Sequence, residues 1–414
     1  MIKIDTKLWT LFLLPVALYG DIKLSSLIDR AHNHREIAIE QSKLHQIKLE
    51  RKSLSKSYLP RIDASGSAVY TDKTGGFDAK ESYNATLSAE LMLFDGFKRE
   101  NRLSQMDSLS ASQSHALSSA KKELSLEIIR LAIEYENSID EKYALDALQE
   151  HLEAQHERLL RFKDAGLASE DMLLRIVSEL KDVEYQQLQL RYLIEKQRLN
   201  IALVSGVSLH HHESIEIDII EPKIYKKDDS DRLKSLQELK KAKLYESKSA
   251  SGGLYPTIKL VDELSFNDYR GDSMADMRVR RQNKVLAVAS MNLFDFGSES
   301  ATAEAKRVEA LTLEYQIAHQ DELDRIEFDL SMDKKAMAFR QLEASISAQE
   351  AAQSTYISVK KKYESGIVDF ITYLDALYLM HNANNRLSSS KRELLASYAA
   401  YYYHSGADPR EFVK

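Results

Sequence analysis

The residue types that usually carry chemistry are thinly and unhelpfully placed along these 414 residues. There is no cysteine anywhere, so thiolate chemistry and a disulfide framework are both excluded. His210-His211-His212 is the densest group of metal-ligating side chains. Adjacent residues in a regular backbone do not converge on one ion, and no spaced Asp, Glu or His array accompanies them. No glycine-rich phosphate loop and no nucleophile motif occurs, so the sequence offers an enzyme reading no support and implies no cofactor. The net charge of −7 is modest and interleaved along helical faces, which gives no footprint for nucleic acid.

With no chemistry to position, the elements themselves become the informative part. Glycine and proline are scarce at 13 and 5, and charged residues make up 29% of the chain, a composition of long helices. Residues 97–165 contain only the helix-compatible types, with apolar side chains recurring at Leu124, Ile128, Leu131, Tyr135, Ile139, Tyr143, Leu145, Leu148, Leu152 and Leu159. At 1.5 Å per residue this predicts a rod roughly 100 Å long, which no ordinary globular core can cover. A second such run covers residues 298–365.

The N-terminus reads as a secretory signal peptide over residues 1–20. Lys3 and Lys7 precede an apolar stretch from Leu8 to Ala17, and Gly20 stands before the polar Asp21. That stretch is too short to span a bilayer of roughly 30 Å. Residues 25–57 then predict an amphipathic helix stopped by Pro60, which lacks an amide donor and disfavours helix before it.

Beyond Pro60 the period switches to two. Ile62, Ala64, Gly66, Ala68 and Tyr70 alternate with polar residues, and so do Tyr83, Ala85, Leu87, Ala89, Leu91 and Leu93. Strands are expected over about 61–71 and 82–94, joined by a polar loop. Ten-residue strands with one apolar and one polar face suit a transmembrane hairpin with lipid outside and water inside; a soluble hairpin with one face on a core gives the same alternation. A helical hairpin follows over 97–205, turning at Gly166 and restarting at Ser169 with Glu170 and Asp171 in its first turn.

After a connector at 207–231 the pattern recurs, with strands expected over about 257–267 and 283–295 and a helical hairpin over 297–404. Asp262 falls on the apolar face of its strand and weakens it. Leu93-Phe94-Asp95 matches Leu293-Phe294-Asp295 at an offset of 200 residues, as do Gly166 with Gly366, Ser169 with Asp369, and Ser205-Gly206 with Ser405-Gly406. The mature chain is thus two tandem repeats of helix, β-hairpin, long helix, tip and return helix, spanning 21–206 and 232–414. Four strands cannot close a barrel, since the smallest transmembrane barrels need about eight, so a membrane location requires an oligomer.

Several short motifs coincide with these elements: Tyr58-Leu59-Pro60, Tyr83-Asn84, Leu93-Phe94-Asp95-Gly96 with its counterpart ending at Gly297, Tyr363-Glu364-Ser365-Gly366, and Tyr373-Leu374-Asp375-Ala376. In them the sequence resembles the TolC family of outer-membrane efflux proteins, over the whole mature chain and in both halves. The resemblance implies a mainly α fold carrying a transmembrane β-barrel. It implies a homotrimer with a twelve-stranded barrel in outer-membrane lipid and a long α-helical barrel reaching through the periplasm of a Gram-negative bacterium. It implies an exit duct for small molecules or for type I protein secretion, working with a periplasmic adaptor and an inner-membrane transporter of the RND, ABC or MFS type. Asp375 then occupies the position of one gate aspartate, Thr372 replaces the other, Asp369 is placed to compensate, and Tyr363 retains the family aromatic. Val368 stands where some members have a basic residue that ties the gate closed, so that lock is absent. The tips Gly166-Leu167-Ala168-Ser169 and Gly366-Ile367-Val368 correspond to adaptor-docking surfaces. The nearest rival is a periplasmic coiled-coil adaptor, which has one helical hairpin and a lipoyl-like insert where this chain has two hairpins and two strand pairs. A soluble pore-forming toxin would share the amphipathic strands but not the duplicated rods.

Overall fold

The computed structural model describes residues 22–72, 79–166, 168–210, 213–223, 227–271 and 278–414. The predicted signal segment, Leu167, and His211 with His212 lie outside the described residues.

The chain begins with a two-residue strand β1 (Ile22–Lys23), then α1 (Leu24–Ala31) and α2 (Arg35–Lys56). The single helix expected over 25–57 is therefore two. His32 N–H still reaches back to Ile28 O, but the backbone amides of Asn33 and His34 donate to Arg30 O and Ala31 O, and His34 takes an extended ψ of 175° that starts α2 afresh. The break lets α1 lay Leu24, Leu27, Ile28 and Ala31 fully into a core while α2 runs upward, mostly exposed.

Strands β2 (Arg61–Tyr70) and β3 (Glu81–Phe94) lead into α3 (Lys98–Asp164) and α4 (Glu170–Ser205); β4 is Ile215–Glu216 and α5 is Asp231–Ala250. The second half contributes β5 (Thr257–Arg270), β6 (Arg281–Ser290), α6 (Ser298–Glu364) and α7 (Phe370–His404). Both long rods have 67 residues and begin and end at equivalent positions of the repeat. Strand β6 stops at Ser290, short of the expected 295. Phe94 at the end of β3 has Ile258 of β5 to pair with, whereas residues beyond 290 lie past the start of β5 at Thr257, their one neighbour.

The four long strands form one antiparallel sheet in the order β2-β3-β5-β6. Their register puts Ile62, Ala89, Asp262 and Val285 in one row and Ala64, Leu87, Leu264 and Asn283 in the next, so one face collects the apolar residues. Along β3 that face is the open one: Tyr83, Ala85 and Leu87 are exposed while Asn84, Thr86 and Ser88 are partly covered, with Asn84 donating to Asn267 Oδ1 at 2.7 Å on the polar side. Helices α2, α3, α5 and α6 continue the layer in the same order, each packing on the next.

Along α6 the buried positions recur every seven residues at Ala303, Ala310, Asp324, Ser331, Ala338, Ser345 and Ala352. A period of 3.5 keeps one narrow seam on the neighbouring helices, with a left-handed coil, and small residues let the backbones approach.

Two cores thread the rod. One surrounds the equator, where Leu124, Ile128, Ile129, Ala132 and Tyr135 of α3 meet α1, Ile201, the connector and Tyr398 and Tyr402 of α7. The connector is what ties both ends of the described chain together: β1 pairs in parallel with β4, and Ile219 bridges to Val413. The other core lies toward the tips and joins Leu145, Leu148, Leu152 and Leu159 to Ile176, Val183, Phe370, Tyr373 and Leu377. Tyr143, grouped with these from its spacing, is instead 63% exposed.

The equator also buries charge. Asp231 is 9% exposed and accepts from Lys122 Nζ at 2.6 Å and Ser118 Oγ at 2.7 Å, with His115 Nδ1 at 3.3 Å. Burial pushes its carboxyl up, but these three partners together outweigh it and hold it below the ordinary value of 3.8. A carboxylate with a depressed folded value contributes stability that is complete above the ordinary value and lost as pH falls through the lowered one. Thermal unfolding of the detergent-solubilised protein should therefore lose stability below about pH 3.8, and Asp231→Asn, less stable at neutral pH, should show a shallower acid limb. Parallel acid limbs would remove Asp231 from this role.

Candidate channel elements: strand junctions and helical tips

The site elements lie at the two ends of the rods. At the sheet end, β3 turns into α3 within three residues and β6 into α6 within seven. Asp95 serves the first turn by accepting from Arg99 N at 3.0 Å and Arg99 Nε at 2.9 Å, capping α3. Arg99 is pinned further by Met92 O and Ser57 O, both accepting from its guanidinium, and it stacks over the Tyr58 ring at 4.4 Å. Asp295 repeats the cap on α6, accepting from Gly297 N at 2.9 Å and Glu299 N at 2.8 Å, which holds its carboxyl below the usual range.

Both junctions also need two successive left-handed residues. They are Gly96 (φ 72°) with Phe97 (φ 63°), and Phe296 (φ 55°) with Gly297 (φ 83°). The order of glycine and phenylalanine is reversed between the copies, so each junction holds one aromatic in a conformation that L-residues avoid. Phe97 is supported edge-on by Phe94 at 5.2 Å and Tyr255 at 6.4 Å. Phe296 packs only on Phe294, at 4.5 Å, and is 90% exposed beside Leu293 at 86%.

The neighbourhoods differ as well. A Cβ on Gly96 would lie 2.2 Å from Gly252 O, whereas one on Gly297 would meet nothing within 4 Å. Gly96→Ala should therefore prevent normal packing of the first junction, while Gly297→Ala should cost only the left-handed conformation, about 1–2 kcal/mol. Melting midpoints of the two purified variants check this; equal shifts would refute the asymmetry.

At the far end, α3 and α6 both finish in left-handed glycines, Gly166 (φ 73°) and Gly366 (φ 72°). Gly366 N donates to Tyr363 O and Ile367 N to Lys362 O at 2.8 Å, the paired bonds that satisfy the last carbonyls of a helix. The returning helices start differently. Asp369 caps α7 by accepting from Thr372 N at 2.8 Å, and that interaction with Thr372 lowers its carboxyl below the ordinary value. Ser169 has the extended backbone of a cap, but its hydroxyl accepts nothing from α4. Lys163, paired with Glu170 across the turn, closes that tip instead. Ala168 and Val368 are half-buried, whereas Ile367 is exposed.

The four gate candidates gather around the start of α7, with Asp369 as its cap and Tyr363, near the end of α6, packed against it. Thr372 and Asp375 lie on the exposed face of α7 with Ile371 and Leu379. Tyr363 lies on the packed side, stacked on Tyr373 at 4.8 Å and 6.1 Å from Phe370. Burial pushes the hydroxyls of Tyr363 and Tyr373 up.

Two tip residues had no sequence signal strong enough to select them. Arg158 lies over both Phe162, 5.1 Å away on its own helix, and Tyr363 of α6 at 5.0 Å. Its spacing of four from Phe162 was visible, but its partner in the other repeat was not. Tyr378 of α7 donates to Glu179 of α4 at 2.6 Å, linking the two returning helices.

No family model matches the sequence, and no curated protein matches it. Solved structures do. CusC, a protein described by its transmembrane channel formation, superposes with a TM-score of 0.83 at 12% identity, covering 94% of this chain and 93% of that one. The Campylobacter jejuni CmeC outer-membrane channel gives 0.82 at 14%, covering 92% and 85%. The outer-membrane channel OprN gives 0.80 at 19%, covering 94% and 90%. The chain has the fold of the TolC-type outer-membrane channels.

Proposed function

We propose that this protein is a non-enzymatic exit duct in the outer membrane of a Gram-negative bacterium, assembled as a homotrimer. The observation that carries the reading is the single layer in which four strands continue into four helices in one order, with β2 and β6 both left as unpaired edges. An edge in lipid leaves backbone groups unsatisfied. Pairing β6 of one copy with β2 of the next removes every edge, and three copies give twelve strands over a twelve-helix wall. The exposed apolar face of Ile62, Leu87, Phe266 and Val285 then meets lipid, and the polar face meets water. Described structural relatives that are outer-membrane channels support the same reading.

In this assembly the helices reach into the periplasm, and the tips at Gly166 to Ser169 and Gly366 to Val368 dock a periplasmic adaptor coupled to an inner-membrane transporter. The cargo is either small molecules or a type I secreted protein. Asp375 forms the acidic ring of the periplasmic gate, Thr372 leaves that ring less negative than two aspartates would, and Asp369 stands near it as the cap of α7. The rival adaptor reading has no use for two strand pairs in one sheet.

Fractionation should place the native protein in the outer membrane as a trimer; a soluble monomer would end this reading. In single-channel recordings, Asp375→Ala should weaken block by divalent cations, because three convergent carboxylates attract them. Unchanged block would take Asp375 out of the gate.

A further inference from the structure

Directly below the sheet, α2, α3, α5 and α6 together line an open recess of about 710 Å3. All four consecutive members of the layer line it. Its charged lining consists of Lys98 and Arg102 of α3, Glu246 of α5 and Lys306 of α6, with Leu54 and Thr302 beside them.

These charges are not balanced. Lys306 is engaged, 3.1 Å from Glu246 and 2.9 Å from Glu309. Lys243 closes the square at 3.0 Å from Glu246 and 2.8 Å from Glu309, and the two lysines hold the Glu309 carboxyl down at about 2. The only carboxylate in the lining is thus spent on a clamp between α5 and α6. Lys98 and Arg102 make no ion pair among the described residues. They stand four residues apart on one face of α3, a spacing at which like charges repel. Their neighbour Arg99 points elsewhere, bound to Asp95 at 2.9 Å. An uncompensated cation pair in a water-filled recess, within a chain of net charge −7, is a local reversal of sign.

We infer that Lys98 and Arg102 form an anion-binding site in this recess just below the barrel, taking solutes that carry sulfonate, carboxylate or phosphate groups. This rests on the duct reading only for its position: in the trimer the recess faces the lumen, and three copies make a basic collar that anionic cargo crosses before the barrel. A guanidinium and an ammonium one turn apart supply donors for one multi-oxygen anion, and a collar of like charge raises the local concentration of such anions within about 8 Å at physiological salt.

The test uses the purified full-length protein in detergent and a pyrene trisulfonate dye followed by fluorescence anisotropy. Binding should be measurable at low ionic strength and abolished by high salt. It should weaken about tenfold for each cation removed in Lys98→Gln and Arg102→Gln, and strengthen in Glu246→Gln, which removes a carboxylate from the lining. Circular dichroism and melting midpoint identify any variant that has lost its fold. Wild-type protein that does not bind the dye, or a folded double variant that binds it as well as wild type, overturns the site. In planar bilayers under a salt gradient, the double variant should shift the reversal potential toward cation selectivity; an unshifted potential removes the collar from the conduction path. Dye binding intact in a protein that carries no current would end the duct reading while supporting the site.

Discussion

The structure depends on the unpaired backbone of two strand edges. Within one chain the sheet ends at β2 and β6, and nearly every residue of both strands is exposed. A four-stranded sheet with an apolar outer face and two open edges is stable neither in water nor in lipid. In the proposed assembly that sheet is one segment of a closed wall. The helices share the strand order because they are the same wall continued, and they are long because a wall one layer thick gains burial only by extending.

A single layer has to find its cohesion along seams rather than in a centre. The heptad of small residues on α6 is one such seam. The cation–carboxylate square between α5 and α6, and the buried Asp231 with Lys122 between α5 and α3, are polar fastenings at other points. The equator is the exception, with a true apolar core, and it is also where both ends of the chain are gathered by β1, β4 and the bridge at Ile219. That arrangement leaves the sheet above and the tips below as the exposed parts, and these are the parts that a membrane and a partner protein would cover.

Much of this was legible in the sequence because the rods and strands have clean periods. The 3.6 to 2 switch at Pro60 located β2 within a residue, and the repeat offset placed both long helices and both tips. What stayed hidden depended on contacts between distant segments. The break at His32 to His34 is dictated by α1 turning its apolar face into the equator, and Ser25 to Ser57 alone carries no glycine or proline to mark it. The early end of β6 follows from having a neighbour on one side only. Tyr143 obeyed the spacing of buried residues yet lies outside the core, 63% exposed. The recess around Lys98 and Arg102 combines α3 with α2, α5 and α6, and no local motif joins Lys98 to Glu246. The gate residues were placed by resemblance, and only Asp369 has acquired a role visible in one chain, as the cap of α7.

The equal length of α3 and α6 carries a consequence for how such a chain can change. Both rods start at the same sheet edge and must present their tips at the same depth, so their lengths are coupled through space rather than through sequence. One inserted residue in either rod would advance its tip by about 1.5 Å and turn everything beyond it by about 100°, carrying the small-residue seam off its neighbour. Two full heptad turns restore the facing but displace that tip by about 10 Å against its twin. Length variation is therefore tolerated only as matched heptads in both halves, which makes the reach of the rods a quantised property of the repeat rather than a freely adjustable one.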